Sequence, residues 1–233
     1  MPQNVEALLA AAQSRLQSGD AVAARELLQE AAQAHSLRAA VQLGIWELAG
    51  LGGPADTAAA VRRLRAAAEL GDATACSLYA QLVAAGADGL QRDFGAAVAW
   101  LVRAAAAGDR RAATQLAMLL PADAEGSGDR LALARSAAAA GDPIARAFVA
   151  QWPAAATEGG PDWDRVREHV TLPHERPLPT PVVRSQAPRI AAMHQLFTRD
   201  ECIYVALKGL PLLRPARVAI QDGGSAVDPM RSN

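Results

Sequence analysis

Ala67-Ala68-Glu69-Leu70-Gly71-Asp72 returns as Ala104-Ala105-Ala106-Ala107-Gly108-Asp109, and again as Ala137-Ala138-Ala139-Ala140-Gly141-Asp142. The copies stand 37 and 33 residues apart, a period that marks stacked helical hairpins. Glycine enters the left-handed region freely, so it suits the residue just past a helix end. Aspartate suits the N-cap of the next helix, because its carboxylate accepts from an otherwise unpaired N–H. Each copy therefore predicts two helices joined with almost no loop.

On either side of these junctions the apolar positions keep helical spacing. Val5, Leu8, Leu9, Ala12 and Leu16 give a first helix one face, Gly19-Asp20 ends it, and Leu27, Leu28, Ala31 and Ala32 line a second. His35-Ser36 stands where a Gly-Asp is expected, and Ser36 can still cap. The unit 36–71 has a helix A over 37–49, with Ala40, Leu43 and Gly44 inward, and a helix B over 56–70, with Val61, Leu64 and Ala68 on one stripe. The unit 72–108 repeats this with Ala75, Tyr79 and Ala80, then Asp93 opening a helix that carries Val98, Leu101 and Ala105. The unit 109–141 repeats it with Ala112, Leu116 and Ala117, a turn over 121–128, then Leu131, Ala134 and Ala138. A half unit, 142–152, closes on Phe148 and Trp152.

Alanine and proline set the boundary. Of 57 alanines 47 lie in residues 1–150, whereas ten of 14 prolines follow Trp152. Small side chains let helices approach closely but bury little area per contact, so stability comes from many stacked units. Residues 1–152 read as an α-solenoid, 153–187 as a linker, and 188–233 as a separate small αβ segment. Pro153, Pro161, Pro173, Pro177, Pro179 and Pro181 preclude a long helix in the linker. A short one fits at 162–170, with Asp162 as cap and Trp163, Val166 and Val170 on one face; it is expected to dock its tryptophan on the open end of the stack.

Lys and Arg total 23 against 24 Asp and Glu, a net charge of −1, which gives no basic face for nucleic acid. Cys76 and Cys202 make no disulfide framework, and point to a reduced, cytoplasmic setting. The N-terminus lacks a basic region before an apolar core, so no signal peptide is expected; no apolar run reaches 18 residues, so no membrane span is expected either.

The repeat pattern over residues 36–152 resembles the Sel1-like repeat family. Ala39 to Gly44, Ala75 to Ala80 and Ala112 to Ala117 carry its Ala-x3-Leu-Gly/Ala core, and the Ala-Ala-x-x-Gly-Asp steps carry its helix B ends. Its aromatic before the Ala-Ala survives as Trp100, while Arg63 stands there in the first unit. The resemblance implies a right-handed TPR-like superhelix that binds a protein or peptide partner on the solenoid face, and no catalysis by the repeats.

The last 46 residues change period. Residues 188–197 read as a strand with Ile190 and Leu196 apolar; Thr198 and Glu201 form a capping box; the helix 199–208 carries Cys202, Val205 and Ala206 inward and ends at Gly209. A turn at 211–215, a strand at 216–221 and a turn at Asp222-Gly223-Gly224 follow. Pro188-Arg189-Ile190, Leu196-Phe197-Thr198, Asp200-Glu201-Cys202, the stretch Leu210 to Leu213, Pro215-Ala216-Arg217-Val218 and Arg231-Ser232-Asn233 resemble the opening of the prolyl 4-hydroxylase-like dioxygenases. The resemblance implies Fe(II) and 2-oxoglutarate, with ascorbate an optional addition, and the start of a double-stranded β-helix. That family binds iron through His-x-Asp/Glu and a distant His. None of His35, His169, His174 and His194 has Asp or Glu two residues on, so no catalytic, cofactor or metal residue carries over. The chain alone is expected to be inactive: the front of a longer enzyme, or a truncated relative.

The remaining chemistry-bearing residues read as structural. His169 and His174, beside Glu168 and Glu175, fit a solvated linker better than zinc. His194 reads as a surface or satisfied histidine, and Cys76 and Cys202 as core thiols. Asp72, Asp109 and Asp142 read as caps. Gly50 to Gly53 and Gly86 to Gly89 read as hairpin turns, since a phosphate loop needs a preceding strand and a following Lys-Ser/Thr. Trp46, Trp100 and Trp152 read as packing anchors, an exposed one marking a binding face. The chain thus reads as a scaffold that binds a protein and positions it for a dioxygenase; the alternative is a stand-alone adaptor with no enzyme attached.

Overall fold

The computed structural model describes residues 2–121, 127–152, 159–170, 178–194, 196–209, 215–219 and 225–232. Two compact units emerge, Met1–Glu175 and Arg176–Asn233. The first is helical: α1 (Pro2–Gln17), α2 (Ala21–Gln33), α3 (Leu37–Ala49), α4 (Thr57–Glu69), α5 (Ala73–Ala85), α6 (Phe94–Ala106), α7 (Arg110–Leu119), α8 (Ser127–Ala139), α9 (Pro143–Gln151) and α10 (Trp163–His169). From α1 to α9 each helix packs mainly on the one before and the one after, the arrangement of a stacked solenoid.

The junctions show why the motif repeats. Gly71, Gly108 and Gly141 have φ of 88°, 92° and 89°. In each copy the glycine N–H donates to the second alanine of the pair (Ala68, Ala105, Ala138), and the aspartate N–H to the first (Ala67, Ala104, Ala137). These are the two bonds of the Schellman helix end. The aspartates then accept from Ala75 N, Ala112 N and Ala145 N at 2.8–2.9 Å, capping α5, α7 and α9. Gly19-Asp20 does the same between α1 and α2. His35 adopts φ 62°, doing glycine's work with a side chain attached, and Ser36 Oγ caps α3 through Ala39 N at 3.2 Å. Ala39, Ala75, Ala112 and Ala145, one turn into each helix A, are all fully buried.

Two local expectations shift. In α3 the inward face is Ala39, Val41, Leu43 and Gly44, with Ala40 only half-buried. Gly128 lies inside α8 rather than in the preceding turn, whose residues 122–126 fall outside the described ones. The helix at 162–170 forms as α10, capped by Asp162. It docks against α6 rather than on the end of the stack, with Val166 fully buried and Trp163 and Val170 packed against the same core. In α6 the buried Val102, a member of that same core, occupies the repeat position that carries exposed Arg65 one unit earlier.

The second unit holds β1 (Val182–Gln186), β2 (Arg189–Ala192), α11 (Arg199–Gly209), β3 (Pro215–Ala219) and β4 (Ser225–Ser232). β1 pairs antiparallel with β2, and β3 with β4, as two separate two-stranded sheets. The strand read over 188–197 is thus half of a hairpin that ends at Ala192, and β1 falls in the stretch read as linker. The capping box forms: Thr198 N donates to Glu201 Oε2 at 2.7 Å and Glu201 N to Thr198 Oγ1 at 3.2 Å. The inward placement of Cys202, Val205 and Ala206 does not hold. All three are exposed and α11 buries no residue, because no described element of this unit packs on it closely enough to cover that face.

Candidate functional site

A groove of ≈ 410 Å³ opens between α1 and α3. Leu9, Ala12 and Leu16 of α1, Leu28 of α2 and Trp46 of α3 give it an apolar floor, and Glu6, Gln13, Arg38 and Gln42 supply polar groups around it. Trp46 is only 4 % exposed, so its ring is floor rather than a projecting anchor. A few polar groups around an apolar floor is the make-up of a peptide or ligand site. A second groove, ≈ 540 Å³, lies between α5 and the start of α6. Tyr79 and Trp100 meet edge-to-face there, centroids 5.3 Å apart, and Arg103 lies 4.2 Å over the Trp100 ring.

Between these grooves the repeat is varied internally. At the Trp100 position the first unit has Arg63, which donates to buried Glu47 of α3 through Nε and Nη2 at 3.0–3.3 Å. Glu47 corresponds to Val83 in the second unit and Leu120 in the third; Arg63 corresponds to Trp100 and Leu133. These equivalent positions hold an ion pair in the first unit, a valine and a tryptophan in the second, and two leucines in the third.

At the far end, Asp129 of α8 is 3 % exposed and meets Arg165 of α10 through Nε–Oδ2 at 2.5 Å and Nη2–Oδ1 at 3.0 Å. The Asp162 N–H adds a third bond, to Oδ1 at 2.9 Å. The Arg165 hydrogen bonds hold the Asp129 carboxyl below its usual range, against the opposing effect of burial, and the same contact raises the Arg165 guanidinium. Arg130 lies 3.9 Å over Trp152, which stacks on Phe148 with centroids 5.2 Å apart.

No protein-family model matches the chain, and no curated protein matches it significantly. Solved structures do. A Sel1 repeat protein from Oxalobacter formigenes aligns with TM-score 0.56 and 23% identity, over 70% of this chain and 69% of that one. A protective antigen present in uropathogenic Escherichia coli strains, displaying an SLR fold, aligns with TM-score 0.52 and 24% identity, over 63% of this chain and 33% of that one. The fold these helices build is that of the Sel1-repeat proteins.

Within the Sel1-repeat fold, Asp72, Asp109 and Asp142 sit at helix N-caps. Gly50 and Gly86 sit at the left-handed ends of α3 and α5. Cys76 is buried, with Sγ 3.4 Å from Ala68 O, and burial pushes its thiol up, away from the thiolate. His169 Nδ1 lies 2.9 Å from Arg165 O within α10, and His35 occupies a helix end. In the second unit His194 lies in the turn after β2, its Nε2 2.9 Å from Arg184 Nη2. His174, Pro153, Pro173 and Pro177 lie outside the described residues, as do Asp222-Gly223-Gly224. Among the described residues no three His, Cys, Asp or Glu side chains converge as metal ligands, and no helix is long and apolar enough to cross a membrane. Sequence reasoning passed over Asp129, Arg165 and Glu47, and noted Arg63 only as a departure from the repeat's aromatic position. The first pair had one legible signal: Val102 at a position held by Arg65 and Arg135 in the neighbouring units.

Proposed function

We propose that the helical unit is a protein-binding scaffold whose partner, a peptide segment of another protein, lies in the α1–α3 groove. The carrying observation is the groove itself: a floor of Leu9, Leu16, Leu28 and Trp46, with Gln13, Gln42, Arg38 and Glu6 placed to bond a peptide backbone. The Sel1-repeat fold supports the reading as a scaffold. In the finer form of the proposal, the bound protein is positioned for a 2-oxoglutarate/Fe(II) dioxygenase of the prolyl 4-hydroxylase type, in a cytoplasmic setting. What supports that form is the sequence resemblance over residues 186–233, with the Thr198–Glu201 capping box formed at the head of α11. On that resemblance no iron-binding or 2-oxoglutarate-binding residue carries over to this chain, since none of its four histidines has Asp or Glu two residues on.

Affinity capture with the wild-type chain and with a Gln13→Arg/Gln42→Arg variant tests the scaffold. A partner held by the wild type and lost from the variant, at unchanged helix content, is expected; equal retention places binding elsewhere. For the finer form, the chain incubated with Fe(II) and 2-oxoglutarate is expected to release no succinate. Turnover by this chain alone contradicts the assignment of the catalytic core to residues outside it.

A further inference from the structure

We infer that the groove between α5 and the start of α6 is a docking site for a proline-rich segment of another protein, bound in the polyproline II conformation. This groove is separate from the one between α1 and α3, and the inference does not rest on the reading of that site.

Two observations carry it. The first is that the second unit departs from its neighbours at the positions that line the groove. Tyr79 stands where the other units have the buried Leu43 and Leu116, Phe94 where they have Thr57 and Ser127, and Trp100 where they have Arg63 and Leu133. The same helix pair is thus built twice in this chain without any of the three rings, so helix packing alone does not call for them. Phe94, at the head of α6, keeps 36% of its surface exposed.

The second is the hydrogen-bond inventory of the groove. The Tyr79 hydroxyl and the Trp100 indole N–H have no hydrogen-bond partner among the described residues. No sealed side-chain polar atom there is left unpaired, so solvent reaches both. Gln91 and Arg92 add further donors. Asp93, the carboxylate in the lining, is engaged in capping α6 through Ala96 N at 2.9 Å. The groove therefore offers aromatic surface and donors, and little to accept an N–H. A helix spends its carbonyls on its own N–H groups. An ordinary extended strand brings an N–H at every residue, each needing an acceptor. A polyproline II segment fits better: its carbonyls make no internal bonds and its prolines carry no N–H. Aromatic-lined grooves take such segments because the ligand is ordered before it binds and loses little entropy on docking.

The test uses the full chain and fluorescein-labelled decaproline, read by fluorescence anisotropy. Saturable binding is expected, and a (Gly-Ser)5 peptide of equal length is expected not to bind. Tyr79→Leu/Phe94→Thr/Trp100→Leu places at each position a residue that another unit already carries there. This variant is expected to keep its helix content and to bind decaproline at least tenfold more weakly. Gln13→Arg/Gln42→Arg, in the other groove, is expected to leave decaproline binding unchanged. A wild-type chain that ignores decaproline, or takes both peptides equally, overturns the proposal. So does a folded triple variant of undiminished affinity, or loss of binding in the Gln13/Gln42 variant, which moves the site to α1–α3. Should the triple variant fail to fold, Phe94→Thr alone decides, since that side chain is exposed. At least threefold weaker binding is expected from it, and unchanged affinity refutes the site.

Discussion

At single residues the fold rests on backbone conformation and caps. Asp109→Ala removes the carboxylate that caps α7 and is expected to cost about 1 kcal/mol, read by urea denaturation. At Gly108 a Cβ meets nothing within 4 Å, so the cost of Gly108→Ala is conformational alone, about 1–2 kcal/mol at φ 92°. The same reasoning runs in reverse at His35, which holds φ 62° as a non-glycine. His35→Gly is expected to raise stability by about 1 kcal/mol, and a loss of stability contradicts the steric account. Asp129 adds a pH dependence. Its carboxyl is depressed in the folded state, so its contribution is complete above the unfolded value of about 3.9 and disappears as pH falls through the lower folded value. Against Asp129→Asn, the stability difference is expected to stay constant at neutral pH and to narrow only in that acid window. The charged groups facing it are Arg165, first, and His169.

At the level of elements, one pair of equivalent positions on helix A and helix B is filled three ways, by the ion pair of Glu47 with Arg63, by Val83 and Trp100, and by Leu120 and Leu133. Removing one partner of a buried pair leaves an uncompensated charge. Arg63→Ala is expected to destabilise by about 3 kcal/mol, at the low end for such pairs because Arg63 is itself 32% exposed. The double variant Glu47→Val/Arg63→Trp installs the second unit's solution in the first. It is expected to be neutral or stabilising, because an apolar pair of fitting volume carries no desolvation cost. Thermal unfolding of the wild type, Arg63→Ala and the double variant separates the outcomes; a double variant as unstable as Arg63→Ala shows that the units are not interchangeable there. The helices themselves were legible: α3 spans Leu37–Ala49, the range expected from its apolar spacing, and the Ala-Ala pairs supply the carbonyls that end each helix B. The partner of Arg63 was not legible, because Glu47 lies 16 residues away and nothing in local periodicity marks a buried carboxylate.

For the whole molecule, the division into Met1–Glu175 and Arg176–Asn233 predicts that a fragment of residues 1–175 keeps the helical melting transition of the full chain. Circular dichroism checks this, and a fragment that fails to fold shows the units to be one cooperative body. The amino-acid sequence by itself determined the solenoid, because its information is local. A glycine that turns left-handed, an aspartate that caps and alanines that let helices touch all act within six residues of one another, and repetition makes the signal unmistakable. The tertiary structure alone decided where α10 lies, which carboxylates are buried and that the apolar side of α11 stays exposed. Those outcomes depend on surfaces assembled from distant parts of the chain: Val102, at a position held by Arg65 and Arg135 in the neighbouring units, is buried in the same cluster as Val166, 64 residues later. Amphipathic spacing on α11 names an apolar side but cannot supply the element that would bury it, and so Cys202 and Val205 stand exposed.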